Sequence, residues 1–150
     1  MGSITVLVCA LELLGRSASN MPPIEVLALP PTDVSANAEG FIRGNDGIIY
    51  VVASGVAYRQ ASCDDRRSLL KLASVLVHEE WHIRNGADER GAYEAQLGTL
   101  LRLGARPESF VYMGVVRSMN SVLKAQERAA ADARRTASRQ EGSMAAAAAP

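Results

Sequence analysis

Leu69-Leu70-Lys71-Leu72-Ala73-Ser74-Val75-Leu76-Val77-His78-Glu79-Glu80-Trp81-His82, closed by Ile83-Arg84-Asn85-Gly86, is the stretch on which the reading turns. Leu69, Leu72, Ala73, Leu76 and Val77 recur at helical spacing and belong in a core. Asn85-Gly86 stops the helix, because both residues tolerate left-handed backbone geometry. The chain has two histidines, and both lie here. Residues four apart on a helix share one face, a turn apart. Two imidazoles so placed can hold one zinc ion, with each nitrogen about 2.0–2.1 Å from the metal. Glu79 sits at the edge of that face, within reach of a metal-bound water. Short patterns of this kind also arise by accident. Here, however, an apolar run precedes a His-Glu-Glu cluster that would be costly to bury without a partner, and a cation is the natural one.

A catalytic zinc takes three protein ligands and leaves a position for water. Past Gly86 the chain reads Ala87-Asp88-Glu89-Arg90-Gly91-Ala92-Tyr93-Glu94-Ala95-Gln96. Asp88 suits the N-cap of a second helix running to about Gly104, so the chain turns back beside the motif. Glu89, in the first turn of that helix, is the expected third ligand. Glu94 and Asp88 are the alternatives, and all three would also serve as solvated acids at a helix N-terminus. Tyr93, one turn past Glu89, is a candidate to stabilise an oxyanion, as are Tyr112 and Arg117. It would serve equally as a core aromatic with a satisfied hydroxyl. Trp81 is expected to pack behind the motif helix.

These residues resemble the zincin metallopeptidases, and among them the gluzincin-type branch with its His-His-Glu site. The resemblance covers about residues 40–104. It rests on His78, Glu79 and His82, and on the segment from Glu89 to Gln96, which is similar to the Glu-x-x-Ala-Tyr-x-x-Gln segment of small bacterial zincins. In those proteins the leading glutamate is the ligand. The resemblance implies a minimal zincin-like domain acting as a zinc-dependent peptidase on a peptide or protein. Zinc would be held by His78, His82 and Glu89, with Glu79 as general base. It also implies a rim strand ahead of the motif helix, a role that falls on residues 48–53. Two positions depart from the pattern. Glu80 stands where zincins carry an uncharged residue, which raises the alternative of a zinc-binding pseudopeptidase or interaction module without hydrolytic activity. Asp88 stands six residues past His82, where the metzincin branch places a ligand.

The rest of the chain bounds the answer. Its 150 residues suit one domain with one core. Sixteen basic and sixteen acidic residues leave no global field to draw nucleic acid. Residues 4–14 are mostly apolar but too short to span a membrane. Ser17-Ala18-Ser19 resembles a signal cleavage site, yet no positive charge precedes the run and Glu12 interrupts it. Residues 1–21 are therefore expected to pack as helix or strand in a cytoplasmic protein, with export as the alternative. Cys9 and Cys63 lack metal-ligand or redox spacing and read as small apolar residues or free thiols. Proline pairs at Pro22-Pro23 and Pro30-Pro31 bracket a short extended piece. Residues 41–43 and 48–53 flank Gly44-Asn45-Asp46-Gly47 as a β-hairpin. Pro107 opens a third helix running to about Leu123. Residues 22–128 thus form the expected α+β domain, a short antiparallel sheet on two or three helices. Residues 129–150 are alanine-rich, which favours helix, but offer no core face, so a fraying helix end passing into disorder is expected.

Overall fold

The computed structural model describes residues 3–147. The motif helix, α3 (Arg66–Asn85), is its axis. Asp65 caps the start of α3, its carboxylate accepting from the Arg67 N–H. Gly86 ends it at φ 88°, a backbone geometry that glycine adopts without a steric penalty. Residues 72–80 are all buried, which marks a helix running through the middle of a domain. Leu69, Leu72, Ala73 and Leu76 pack on Ala10, Leu11, Ile49 and Val51. Leu70 turns the other way, toward Leu97, Leu100 and Val115.

The architecture is α+β. Among the described residues three strands, β1 (Ile24–Leu27), β2 (Gly40–Ile42) and β3 (Ile49–Val52), accompany five α-helices. The other four are α1 (Ser3–Leu13), α2 (Val56–Gln60), α4 (Glu89–Arg102) and α5 (Phe110–Ala147). β2 and β3 form the hairpin, with Phe41 stacked on Tyr50 and Gly44 and Gly47 at positive φ in the loop. The sheet itself is mixed, not antiparallel: β1 pairs parallel with β3, in the order β1-β3-β2. The chain leaves β1 through the proline-bracketed loop and returns along the far edge, so the second hairpin strand falls in the middle. β3 therefore has both edges occupied. The strand with an open edge beside α3 is β2, Gly40–Ile42, and not the segment 48–53. Gly40 brings it close, since a Cβ there would lie 3.0 Å from Val75 and 3.1 Å from the Glu79 side chain.

Two further expectations need correction. Cys9 and Cys63 are joined in a disulfide that ties α1 to the loop before α3. Cys9 is half-buried against the main core and Cys63 is exposed, and neither is a free thiol. The N-terminal run packs on the domain as a helix, with Ala10, Leu11 and Met21 in the main core; residues 1–2 lie outside the described residues. Finally, α5 does not stop near residue 128 but continues to Ala147. Once a packed segment has nucleated the helix, alanine, arginine and glutamine extend it at little cost. Residues 124–140 are nearly all exposed, in keeping with the missing core face.

Candidate metal centre

The site is built on α3 and the first turns of α4. His78 and His82 are both buried, and their Nε2 atoms lie 3.2 Å apart. Their protonation follows from their other neighbours. Ser74 Oγ donates to the Lys71 carbonyl at 2.8 Å, so it accepts from Gln96 Nε2 at 3.1 Å. That orientation turns Gln96 Oε1 toward His78 Nδ1, also at 3.1 Å. An amide oxygen only accepts, so His78 carries its proton on Nδ1. His82 Nδ1 likewise donates to the Gly86 carbonyl at 2.8 Å. Both neutral rings then direct an Nε2 lone pair at the other. Two lone pairs at that distance repel unless a proton or a cation lies between them.

Glu89 completes the group. Its Oε2 is 3.5 Å from His78 Nε2, and its Oε1 is 3.6 Å from His82 Nε2. An ion bound tetrahedrally at about 2.0–2.1 Å sets its ligand atoms roughly 3.3 Å from one another. The three observed separations bracket that value. His78, His82 and Glu89 form the described group of three side chains able to share one ion. Contacts with His78 and then His82 hold the Glu89 carboxyl down to about 2, so it is an anion at any ordinary pH.

The other acids lie elsewhere. Asp88 caps α4, accepting from the Arg90 N–H at 3.1 Å, and is exposed. Glu94 points into solvent. Glu79 is buried beside the histidines, and burial raises its carboxyl above the ordinary carboxylate range while His78 and His82 oppose the rise. It lines a cleft of about 1350 Å³ with His78, His82, Glu89, Tyr93 and the β2 strand. The Tyr93 ring stands edge-on to His78 at 4.6 Å and also packs against the Leu97 and Leu100 cluster. Burial pushes its hydroxyl up to about 12, with the Glu89, Glu79 and Glu39 charges adding, so it remains a proton donor. Arg117 lies on the α5 wall of the cleft, whereas Tyr112 packs against the α4–α5 cluster.

No family model, curated protein or solved structure matches this chain. The site must therefore be understood from its own geometry.

Several residues in that geometry were not singled out as functional from sequence. Gln96 and Ser74 fix the His78 tautomer. Their signal was available, because a buried serine one turn before a histidine, and a glutamine on the returning helix, both need partners. Glu80 bonds to Arg16 at the end of α1 and to Arg84 at 2.6 Å. Its charge is thereby met by two guanidiniums, and it does not line the cleft. Trp81 is not packed behind α3 but lies against α4 at Gly91, with its ring edge-on to His82 at 5.9 Å.

Proposed function

We propose that this protein is a zinc-dependent metallopeptidase. The observation that carries the reading is the convergence of two outward Nε2 lone pairs and one ionised carboxylate at the mutual spacings of tetrahedral ligands. Zinc bound there would activate a water and polarise a carbonyl. Glu79 needs no metal contact for its part: it takes the proton from the attacking water and returns it to the leaving amine. Its raised proton affinity suits both steps. Tyr93 supplies an O–H donor at the cleft wall for the developing oxyanion.

The substrate is an extended peptide laid along β2. The Val52 N–H donates to the Glu39 carbonyl at 3.0 Å, and Phe41 is paired with Tyr50. Alternation along an antiparallel pair then turns the backbone N–H and C=O of Gly40 and Ile42 to the open edge. Such an edge takes a peptide by strand addition. Glu80, the residue that favours a pseudopeptidase, has its charge met by Arg16 and Arg84 outside the cleft, which supports the active reading. No described helix is long and apolar enough to cross a membrane. The Cys9–Cys63 bridge supports export to an oxidising compartment over a cytoplasmic location.

The test is metal content together with hydrolysis. The purified chain should carry zinc in one-to-one ratio, and His78→Ala should carry none. Cleavage of an unfolded protein or a peptide library should stop on chelation and return with zinc. A metal-free wild type that refuses zinc, or cleavage indifferent to the chelator, would sink the reading.

A further inference from the structure

Gly91 of α4 lies against the Trp81 side chain of α3. A Cβ built on it would lie 2.3 Å and 2.5 Å from two atoms of the Trp81 indole. Its third neighbour, Asp88 Oδ2 at 2.9 Å, is the mobile end of a carboxylate. Carbon atoms in ordinary contact sit about 3.5–4.0 Å apart. Any side chain at position 91 would therefore force the indole and the first turn of α4 apart by roughly 1 Å. Glu89 lies in that same turn, and metal sites tolerate ligand displacements of only about 0.2 Å.

We propose that Gly91 and Trp81 form a seat that sets the distance from Glu89 to the two histidines, and hence the affinity of the site for zinc. Both are positioning residues: Gly91 acts through Glu89, and Trp81, whose ring also stands edge-on to His82, acts through its contact with α4. This rests on the metal reading above. Gly91 is not there for helix formation, since alanine is the better helix former at an ordinary interior position. Nor does a turn demand it, because it lies within α4 and is not among the positive-φ glycines. What remains is the indole lying on its Cα. Trp81 is the chain's single tryptophan, so its emission reports on the contact without interference.

The experiment is a zinc titration against a chelating dye, with Trp81 emission followed in the metal-free proteins. Gly91→Ala should bind zinc at least tenfold more weakly than wild type, and its emission should shift as the indole is displaced. Adding Trp81→Leu to Gly91→Ala should bring the zinc affinity to that of Trp81→Leu alone, because the added methyl then has no indole to displace. If Gly91→Ala fails to fold, the double variant is compared with Trp81→Leu alone. Equal zinc affinities support the seat, and a tenfold deficit in the double variant overturns it. Wild-type affinity in Gly91→Ala, or a double variant that binds zinc tenfold more weakly than Trp81→Leu alone, overturns the seat while leaving the zinc reading intact. A wild type that takes up no zinc overturns both.

Discussion

Glu79 and Glu80 are neighbours on one helix, and both are buried, yet they live in opposite surroundings. Glu80 is gripped by Arg16 and Arg84. Glu79 meets no arginine or lysine among the described residues; its ionisable neighbours are His78, His82 and Glu89, with which it borders the cleft. A buried charge cancelled by fixed partners is structural. One left open toward a cavity is poised for chemistry. The same division runs along the whole of α3. Its back is tied down by α1, Arg16 and the disulfide, while its front meets β2 and α4 around the cleft. The strongest test exchanges the two carboxylates. Glu79→Gln should keep its zinc and lose hydrolysis by about 10³-fold or more. Glu80→Gln should keep both and instead lose roughly 2 kcal/mol of stability, since two charged hydrogen bonds weaken. Equal loss of activity in both variants would erase the distinction.

The disulfide extends the argument for the back of the helix. Its two cysteines are 54 residues apart. Closing a loop of that length restricts the unfolded chain by about 4 kcal/mol in the chain-entropy account. Replacing both cysteines with serine should lower stability by up to that amount in denaturant titration. Zinc affinity of the folded protein should not change, because neither cysteine approaches the front. On the front itself, Tyr93→Phe should lower kcat by about 10²-fold with little change in KM, as expected for a donor that meets only the developing oxyanion. A rise in KM alone would instead make Tyr93 a packing residue. Gln96→Leu lies between the two roles. It frees His78 Nδ1 from the contact that fixes its tautomer, and zinc affinity should fall about 10–100-fold.

The front of the helix was far more legible in the sequence than the back. His78, Glu79 and His82 announce themselves by spacing, because helical periodicity fixes which side chains share a face. Glu89 follows once Asn85-Gly86 is read as a stop and Asp88 as a cap. The hairpin is equally plain from its β-branched run and glycine-rich loop. What escaped was everything set by distant pairing. The parallel partnership of β1 with β3 depends on how a long loop crosses the sheet. The Cys9–Cys63 bridge and the Arg16–Glu80 pair join residues 54 and 64 positions apart, which no local pattern reveals. The contact between Gly91 and the Trp81 indole is likewise set by how two helices meet, which periodicity does not show. The length of α5 is a different matter: without a core face the sequence marks no point where its fraying end stops, and helix propensity alone extends a helix already nucleated.

The smallest expected effect concerns protons, and its sign separates the metal-free and loaded states. Glu89 first, and then the Gly86 carbonyl, raise the His82 pKa above its ordinary 6.5, while burial opposes them. A raised value in the fold means that protonated His82 stabilises the metal-free protein. That contribution is fully present below about pH 6.5 and is lost as pH rises through the higher folded value. Glu89 behaves in the opposite sense. Held down to about 2, it contributes above its ordinary 4.5 and is lost only as pH falls through about 2, so it is constant across the neutral range. The metal-free protein should therefore melt a few degrees lower as pH rises from 6 to 8, a modest change because the pair is partly exposed and screened. Zinc must displace the His82 proton, so apparent zinc affinity should rise over the same interval, and the loaded protein should not share the fall in Tm. Glu89→Gln should flatten the metal-free profile. If the slope survives that substitution, the His82 proton is held by something other than the third ligand, and the electrostatic link between α3 and α4 is wrong.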